Sequence, residues 1–365
     1  DTTNYAFTLT SKPLKKARVK LSYRYDERDN QTPVSSWNRV ITDAFVTNDV
    51  EQNIPYSFDR ARLSVSGSYR LFDTVTISGG YDQVDIERDF QEVADQTEEI
   101  SWGKLRWRPT PYLEATFKGG DAYREVEEAD YDIAIAQSFG QNPLMRKYNL
   151  AHRYREFAEV GLSASLPERP LSIGMTYLYA DDSYSKSEIG LTESEEQRFS
   201  FDFSWAVSER STLYLTAGSE SIDAVQLGSE VFGGPAWEAA HDDDFTHFGG
   251  GFRVAGLGEK FDVVLDYSHG EGETEILYSG MGVSANTLPE LESEMDSLRL
   301  TMTYNASERF KTDLVLRWET FETADWALDG VAPDTIPNVL TMGATSYDYD
   351  LLIVGISFRY LTGAD

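Results

Sequence analysis

The chain has 365 residues, of which 62 are acidic and 32 are basic, so its formal net charge is −30. This acidity excludes a nucleic-acid-binding protein, which needs a basic face to displace counterions from phosphate. Cysteine is absent, which excludes disulfides, thiolate metal sites, a cysteine nucleophile and covalent haem attachment through C-x-x-C-H. Any haem would therefore belong to a partner.

Apolar and polar residues alternate with a period of two from one end of the chain to the other. In the segment 19–26, VKLSYRYD, valine, leucine and both tyrosines share one face, while lysine, serine, arginine and aspartate share the opposite face. The longest uncharged apolar stretch, 351–358, is far too short for a membrane-spanning helix. The pattern predicts an all-β chain of about fifteen antiparallel strands, centred near residues 7, 22, 65, 80, 103, 118, 160, 177, 202, 216, 250, 265, 300, 316 and 354.

The connections between these strands alternate between short and long. Short connections, rich in Pro, Gly, Ser and Asp, are predicted at 12–16, 71–74, 108–111, 167–170, 208–211, 256–259 and 306–309. Long, acidic connections are predicted at 28–58, 88–97, 127–152, 183–195, 225–243, 270–293 and 323–344. This asymmetry is typical of a transmembrane β-barrel, with short periplasmic turns and long extracellular loops.

Two soluble folds fit the pattern less well. A β-sandwich is not expected to place a long loop at every second connection through seven hairpins. A β-propeller should repeat at a fixed interval of about 40–50 residues, whereas the short turns here are unequally spaced. We therefore favour a barrel in the bacterial outer membrane.

A barrel in lipid turns its apolar residues outward and its polar residues into the lumen. Aromatic residues near the strand ends would then form girdles at the two membrane interfaces; they are Tyr69, Tyr81, Trp107, Tyr177, Trp205, Tyr304 and Trp318. The cations predicted to face the lumen, where they could contact a partner, are Arg24, Arg62, Arg70, Arg106, Lys118, Arg299 and Arg317. Carboxylates predicted on the same face are Asp82, Glu114, Asp202, Asp262, Asp266 and Asp313. Such groups tune ion selectivity in an open porin, and in a sheath they pair with a protein surface and trapped water.

The predicted strand count is odd, whereas a single-chain bacterial barrel has an even number of strands. Either one strand is missed or the chain is part of a larger barrel. We expect the second: residues 1–365 form a single transmembrane barrel domain that lacks N-terminal strands.

The sequence shows no recognisable catalytic or cofactor-binding motif. It has no phosphate-binding glycine loop and no nucleophile elbow, and the glycines at 249–251 lie within a strand pattern, where they mark a bend or close packing. The histidines at 152, 241, 247 and 269 have no metal-ligand or catalytic spacing. Acidic clusters at 125–130 and 242–244 could bind calcium, but solvated loops, bridged to lipopolysaccharide by divalent cations, are the simpler interpretation. We expect no enzyme; an outer-membrane hydrolase is the weakest alternative.

Four segments resemble the MtrB/PioB family of decahaem-associated outer-membrane proteins: SYRYDERDNQTP (22–33), NIPYSFDR (53–60), NPLMRKYNLAHRYRE (142–156) and SYDYDLLIVGISFRY (346–360). They occur in the order and spacing of the later part of such a protein. The residues that carry most of the resemblance are Tyr56, Ser57, Phe58, Asp59, Arg60, Arg146, Lys147, Tyr148 and Asn149.

The resemblance implies a barrel of more than twenty strands that sheathes a periplasmic decahaem or other multihaem c-type cytochrome in its lumen. The cytochrome carries all the haem, an extracellular multihaem cytochrome can dock at the loops, and the barrel contacts outer-membrane lipid and lipopolysaccharide. Two departures stand out, since family members are much longer and many carry a Cys-x-x-Cys near the mature N-terminus.

The sequence therefore supports two functions. The favoured one is an insulating scaffold that positions a cytochrome for electron transfer across the outer membrane. The alternative is a general diffusion porin.

Overall fold

The computed structural model describes residues 1–42, 45–138, 140–166, 168, 170–230, 232–280, 283–326 and 348–362. The chain is almost entirely β-structure. In chain order the strands are β1 (Thr2–Leu14), β2 (Ala17–Arg28), β3 (Ser36–Thr42), β4 (Phe45–Gln52), β5 (Phe58–Phe72), β6 (Val75–Arg88), β7 (Asp95–Thr110), β8 (Leu113–Glu125), β9 (Met145–Arg146), β10 (Arg153–Leu166), β11 (Leu171–Ser183), β12 (Ile189–Ser208), β13 (Ser211–Gly228), β14 (Trp237–Leu257), β15 (Phe261–Gly280), β16 (Val283–Thr287), β17 (Leu291–Asn305), β18 (Phe310–Ala324) and β19 (Tyr349–Tyr360). A 3-10 turn (Glu128–Asp130) and the short helix α1 (Ile133–Ser138) lie between β8 and β9.

Fifteen long strands form one antiparallel sheet in which each strand pairs with the next long strand along the chain. The order is β1, β2, β5, β6, β7, β8, β10, β11, β12, β13, β14, β15, β17, β18 and β19. The hairpin β3–β4 stands apart, β9 pairs in parallel with the start of β12, and β16 pairs with the end of β15. Within the described residues the outer edges of β1 and β19 have no partner strand, so the sheet is not closed.

The predicted strands are confirmed, because each of the fifteen predicted centres lies in one of the fifteen long strands. The two faces also follow the alternation. The cross-strand rows place leucines, valines and aromatic residues on one side, called here the apolar face; one such row joins Leu21, Val65 and Tyr81. The seven girdle aromatics share this face, and the seven predicted lumen cations share the opposite one, called here the polar face.

Several predicted loop boundaries are wrong, because the strands continue beyond the apolar band. Strand β12 begins at Ile189, β13 ends at Gly228, β14 begins at Trp237 and β15 ends at Gly280. Most of the predicted loops at 183–195, 225–243 and 270–293 are therefore sheet, and the cluster 242–244 lies in β14 rather than in a loop. Beyond the membrane surface both faces of a strand meet water. Apolar and polar residues therefore no longer alternate there, although the backbone hydrogen bonds between strands continue.

Other predicted loops contain structure of their own. The hairpin β3–β4 occupies much of 28–58, and 127–152 contains the 3-10 turn, α1 and β9. The predicted connection at 323–344 falls for the most part outside the described residues, and the turn at 167–170 does so in part. No helix in the described ranges is long and apolar enough to cross a membrane.

The glycines at 249–251 mark close packing, as expected. A Cβ on Gly251 would lie 2.3 Å from the hydroxyl oxygen of Tyr214, so a larger residue would displace that ring. Because Gly251 has no side chain, the Tyr214 hydroxyl on β13 can reach across β14 and donate a hydrogen bond to Asp266 on β15. Glycine here makes room for a polar bridge across three strands.

Adjacent positions on β5 provide a test of which face meets lipid. We expect Val65→Arg, on the apolar face, to destabilise the folded barrel in a bilayer by about 2–4 kcal/mol, because the charge must leave water. Ser66→Arg, one residue further on and on the polar face, should cost less than about 1 kcal/mol. Unfolding of both variants of the full-length protein in lipid vesicles measures the difference. Equal stability of the two variants would contradict the assignment of the faces.

Candidate functional site

At its long-loop end the polar face is covered by residues 126–138 and 140–152, called here the clasp. The most deeply buried large side chains of the described chain lie in the clasp or against it: Val93, Val126 and Leu150 form one cluster, Tyr131 packs against it, and Ile189 is also buried. These residues are at most 1% exposed, apart from Tyr131. Outside this region a one-layer sheet has little interior, so the clasp forms a small core on the lumen side.

Arg124, at the end of β8, holds the clasp against the sheet. Its Nε donates to the carbonyl oxygen of Ala151 at 2.7 Å, and its two terminal nitrogens donate to the carbonyl oxygens of Asn149 (3.3 Å) and Tyr148. One buried guanidinium therefore donates to three carbonyls of a turn, of which the carbonyl of Ala151 belongs to a buried residue.

Two further cations stabilise the clasp from within. The Arg146 guanidinium lies 3.9 Å from the ring centroid of Tyr131 and donates to the carbonyl oxygens of Pro143 and Met145. The Lys147 ammonium donates to the buried carboxylate of Glu92 at 2.5 Å. Burial raises the pKa of Tyr131 to about 12. Its phenol therefore stays neutral, and the ring makes a cation–π contact with the Arg146 guanidinium.

The clasp also contacts the neighbouring loops. Strand β9 pairs with the first residues of β12, where Gly190 has a φ of +118°. A Cβ on Gly190 would lie 2.3 Å from the carbonyl oxygen of Arg146, so only glycine fits this contact. The Asn142 side chain donates to the carbonyl oxygen of Gly233 at 3.0 Å. The clasp is thus tied to the start of β12 and to the loop between β13 and β14.

A charged network lies on the polar face beside the clasp. Arg155 makes two hydrogen bonds of 2.7 Å to the buried carboxylate of Asp182 and lies 4.0 Å from Glu196. Arg153 donates to Glu98 and lies 3.8 Å from Asp182. These cations are therefore neutralised within the chain, on the polar face.

The predicted lumen cations fall into groups with different surroundings. Arg24, Arg62 and Arg317 each face a carboxylate of the same face, namely Asp26 at 2.9 Å, Asp82 at 3.4 Å and Glu319 respectively. Lys118 lies over two aromatic rings, 5.3 Å from the Phe157 centroid and 5.9 Å from the Trp102 centroid. Arg299 lies in a cross-strand row with Asp266 and Arg317.

The two remaining cations, Arg70 and Arg106, line a groove at the short-turn end of the face. The seven predicted residues therefore share the face without forming a single cluster.

The residues that carry the family resemblance have structural positions at the long-loop end. Arg146 and Lys147 bind inside the clasp, and Tyr148 and Asn149 supply carbonyls to Arg124. The second set lies where the chain enters β5 and consists of Tyr56, Ser57, Phe58, Asp59 and Arg60. The Ser57 hydroxyl accepts a hydrogen bond from the backbone N–H of Asn30 at 3.1 Å, and the Arg60 guanidinium lies 5.9 Å from the centroid of the Phe58 ring.

Sequence reasoning did not single out Arg124 as a site residue or find its clasp partners. Arg124 begins a run of mostly charged residues at 124–130, and nothing in the sequence distinguishes it from the others in that run. Glu92 and Leu150 had no distinguishing pattern either, because their roles depend on a loop folding back. Within that run Glu127 forms an ion pair of 2.6 Å with Lys186, which fits the interpretation of a solvated loop.

Two of the four histidines have notable surroundings. His152 is buried and packs edge-on against Tyr123, with ring centroids 5.1 Å apart. His269 Nδ1 lies 3.2 Å from Asp296 and 3.8 Å from Glu294, and one ligand atom from each of these residues lies within 4.8 Å of the others. Such a group can hold a metal ion, and it was missed because cross-strand pairing, not sequence spacing, brings it together.

Comparisons with known proteins place these features in a family. A family model described as "Putative outer membrane beta-barrel porin, MtrB/PioB" matches residues 1–361. The chain is 27% identical over 353 residues to the outer membrane protein MtrB of Shewanella baltica, covering 96% of this chain and 50% of that protein. The chain thus spans about half the length of the curated relative that it matches.

Solved structures of outer-membrane proteins are similar at low identity. The siderophore receptor PiuA from Acinetobacter baumannii is 10% identical, with a TM-score of 0.45, and the match covers 87% of this chain and 62% of that one. The FrpB iron transporter from Neisseria meningitidis is 9% identical, with a TM-score of 0.44, covering 93% of this chain and 62% of that one.

Replacing Arg124 tests how the clasp is held. We expect Arg124→Lys to weaken closure of the clasp by about 1–3 kcal/mol, because one ammonium cannot donate to all three carbonyls and Ala151, whose carbonyl accepts from Nε, is buried. Arg198→Lys is the matched control: Arg198 is half exposed and pairs with Glu196 and Glu220, and such a pair contributes less than about 1 kcal/mol. Hydrogen exchange at 126–152 measures the effect. Unchanged protection in Arg124→Lys would show that the clasp closes without the guanidinium.

The clasp should also loosen in mild acid through His152. Burial, and then Lys186, lower the pKa of His152 below its ordinary value. Below about pH 6.5 the open state therefore binds a proton that the closed state resists, and closure is lost as the pH falls. We expect faster proteolysis within 126–152 at about pH 5.5 than at about pH 7.5. His152→Phe keeps a ring against Tyr123 and should remove this dependence; an unaltered pH profile in that variant would assign the effect to other groups.

Proposed function

Because the chain belongs to the MtrB/PioB family of outer-membrane β-barrel proteins, we propose that it forms part of a barrel that sheathes and positions a periplasmic multihaem c-type cytochrome. The observation that carries this proposal is the family match across residues 1–361, together with 27% identity to the outer membrane protein MtrB. The barrel supplies geometry and low-dielectric surroundings, and it contributes no catalytic group. Since the chain has no cysteine, covalently attached haem comes with the partner.

The polar face has the properties that a protein-filled lumen requires. Many of its charges are already paired within the sheet, as Arg155 is with Asp182 and Arg62 with Asp82. Rings such as Trp102 and Phe157 also lie on this face, and they offer area that a protein surface can cover. We propose that Arg24, Arg62, Arg70, Arg106, Lys118, Arg299 and Arg317 contact the partner directly or through water.

The free edges of β1 and β19 indicate how the barrel is completed. A sheet edge in lipid leaves backbone N–H and C=O groups without partners, at several kcal/mol each. We propose that these edges pair with further strands of a larger barrel. The same arrangement places the long loops outside the cell, where an extracellular multihaem cytochrome can dock, and the apolar face against lipid and lipopolysaccharide.

A general diffusion porin is the second candidate, favoured by the word porin in the family's description. The polar face of a porin would be filled with water and would conduct ions without a partner. In this case the clasp would act as a constriction at the outer end of the lumen.

The deciding experiment is the visible absorption spectrum of the full-length protein, purified from its native outer membrane in mild detergent through a tag on this chain. We expect a c-type haem spectrum in a fixed ratio to the chain, because the partner is held inside the barrel. A protein of the same membrane with an equivalent tag is the control for carry-over. A haem-free preparation that conducts ions in planar bilayers would contradict the sheath and establish the porin.

A further inference from the structure

A strongly basic groove crosses the polar face at its short-turn end. It has a volume of about 300 Å³ and spans β1, β2, β5, β6 and β7, or about 19 Å of sheet. Its charged lining, called here the basic groove, consists of Lys12, Lys15, Lys16, Arg18, Arg70 and Arg106; the other lining residues are Ala17, Ser68 and Thr76. The lining contains no carboxylate, in a chain with 62 acidic residues and 32 basic ones.

The cations of the basic groove are not neutralised within the part of the chain that the structure describes. None of the six lies within 4.0 Å of a carboxylate oxygen of a described residue, whereas Arg24 and Arg62, further along the same strands, are each paired. The other half of the sheet places the carboxylates of Asp262 and Asp313 on the polar face near its short-turn end. Six adjacent cations repel one another unless an anion lies among them. An anionic surface from outside this segment would relieve that repulsion.

The strand residues of the groove face away from lipid. Arg70, Thr76 and Arg106 form one cross-strand row on the polar face. The adjacent row on the other face contains Tyr69, Ile77 and Leu105, each more than 40% exposed, as expected of lipid-facing residues. In this family the polar face lines the lumen, so phospholipid headgroups meet the opposite side of the same strands. An anion that reaches Arg70 and Arg106 therefore comes from within the lumen.

The two ends of the polar face also differ in charge. At the long-loop end the strand extensions carry acidic residues, among them Glu196, Glu220 and Asp243. Glu196 and Glu220 both pair with Arg198, and Glu196 also lies 4.0 Å from Arg155. An anionic surface is therefore attracted at the periplasmic mouth and repelled at the far end. Such a charge gradient orients a partner along the barrel axis.

We propose that the basic groove binds a carboxylate-rich surface of the protein that fills the lumen, and that this contact fixes the axial position of the partner at the periplasmic mouth. The inference rests on the proposed function, because it requires a protein in the lumen. It goes beyond that function by specifying that the basic groove, at the short-turn end of the polar face, holds the partner, and that the partner presents negative charge there.

The test uses the full-length protein purified from its native host with its bound haem protein. The groove variant is Lys12→Gln with Arg70→Gln and Arg106→Gln, which removes three charges from three strands. At about 0.15 M salt we expect it to retain roughly tenfold less haem per chain than the unaltered protein. Retention by the unaltered protein should fall as salt rises, because the contact is exposed to screening.

Two matched variants separate charge from position and shape. Arg210→Gln with Lys260→Gln and Lys311→Gln removes the same three charges near the short-turn end of the opposite half of the sheet, and we expect normal haem retention. Lys12→Arg with Arg70→Lys and Arg106→Lys keeps the charge and should also retain haem. Lys15→Gln with Lys16→Gln, which alters only the exposed β1–β2 turn, should lower retention in part and leaves the strands intact if the triple variant misfolds.

The possible results distinguish the two proposals. Haem in the unaltered protein with equal retention in the groove variant would overturn the inference and leave the sheath intact. Equal loss in the groove variant and in the opposite-half variant would also overturn it, because net charge rather than the groove would be responsible. An unaltered protein without haem would overturn both proposals.

Discussion

A sheet that crosses lipid must satisfy every backbone N–H and C=O group through its neighbouring strands, since hydrocarbon offers no partner. This constraint explains the continuous ladder from β1 to β19 and the pairing of each long strand with the next. It also explains why both faces can be exposed: one meets lipid and the other meets the contents of the lumen. Little is left for a conventional core, and the well-buried side chains of the described chain concentrate at the clasp.

The clasp shows how a loop can be ordered without a large apolar core. A three-residue cluster of Val93, Val126 and Leu150 supplies the apolar contact. Arg124 and Lys147 supply directional hydrogen bonds to carbonyls and to a buried carboxylate. Because each charged group is satisfied, the loop can lie over the lumen as a defined structure. The family-like residues around Arg146 are thus explained first by folding, and only through that by any function at the outer end.

Charge divides the polar face into three regions along the barrel axis. The long-loop end carries many acidic residues together with paired cations, the middle is internally paired, and the short-turn end of the first strands is basic. Paired charges stabilise the sheet, whereas unpaired charges of one sign attract or repel a charged partner that enters the lumen. The net charge of −30 does not indicate this arrangement, because composition gives the sum of the charges and not their positions.

The sequence by itself determined the strand number, the two faces and the alternation of short and long connections, because side-chain alternation and turn residues are local signals. It also indicated the family, through short strings such as that at 142–156. It misplaced the outer strand ends, because hydrophobicity reports the thickness of the membrane and not the length of the ladder. Only the tertiary structure decided that Arg124 binds the clasp, that His269 meets Asp296, and that Lys12 and Arg106 share a groove. These contacts join residues far apart in the chain, and their register is set by strand pairing, which no local pattern encodes.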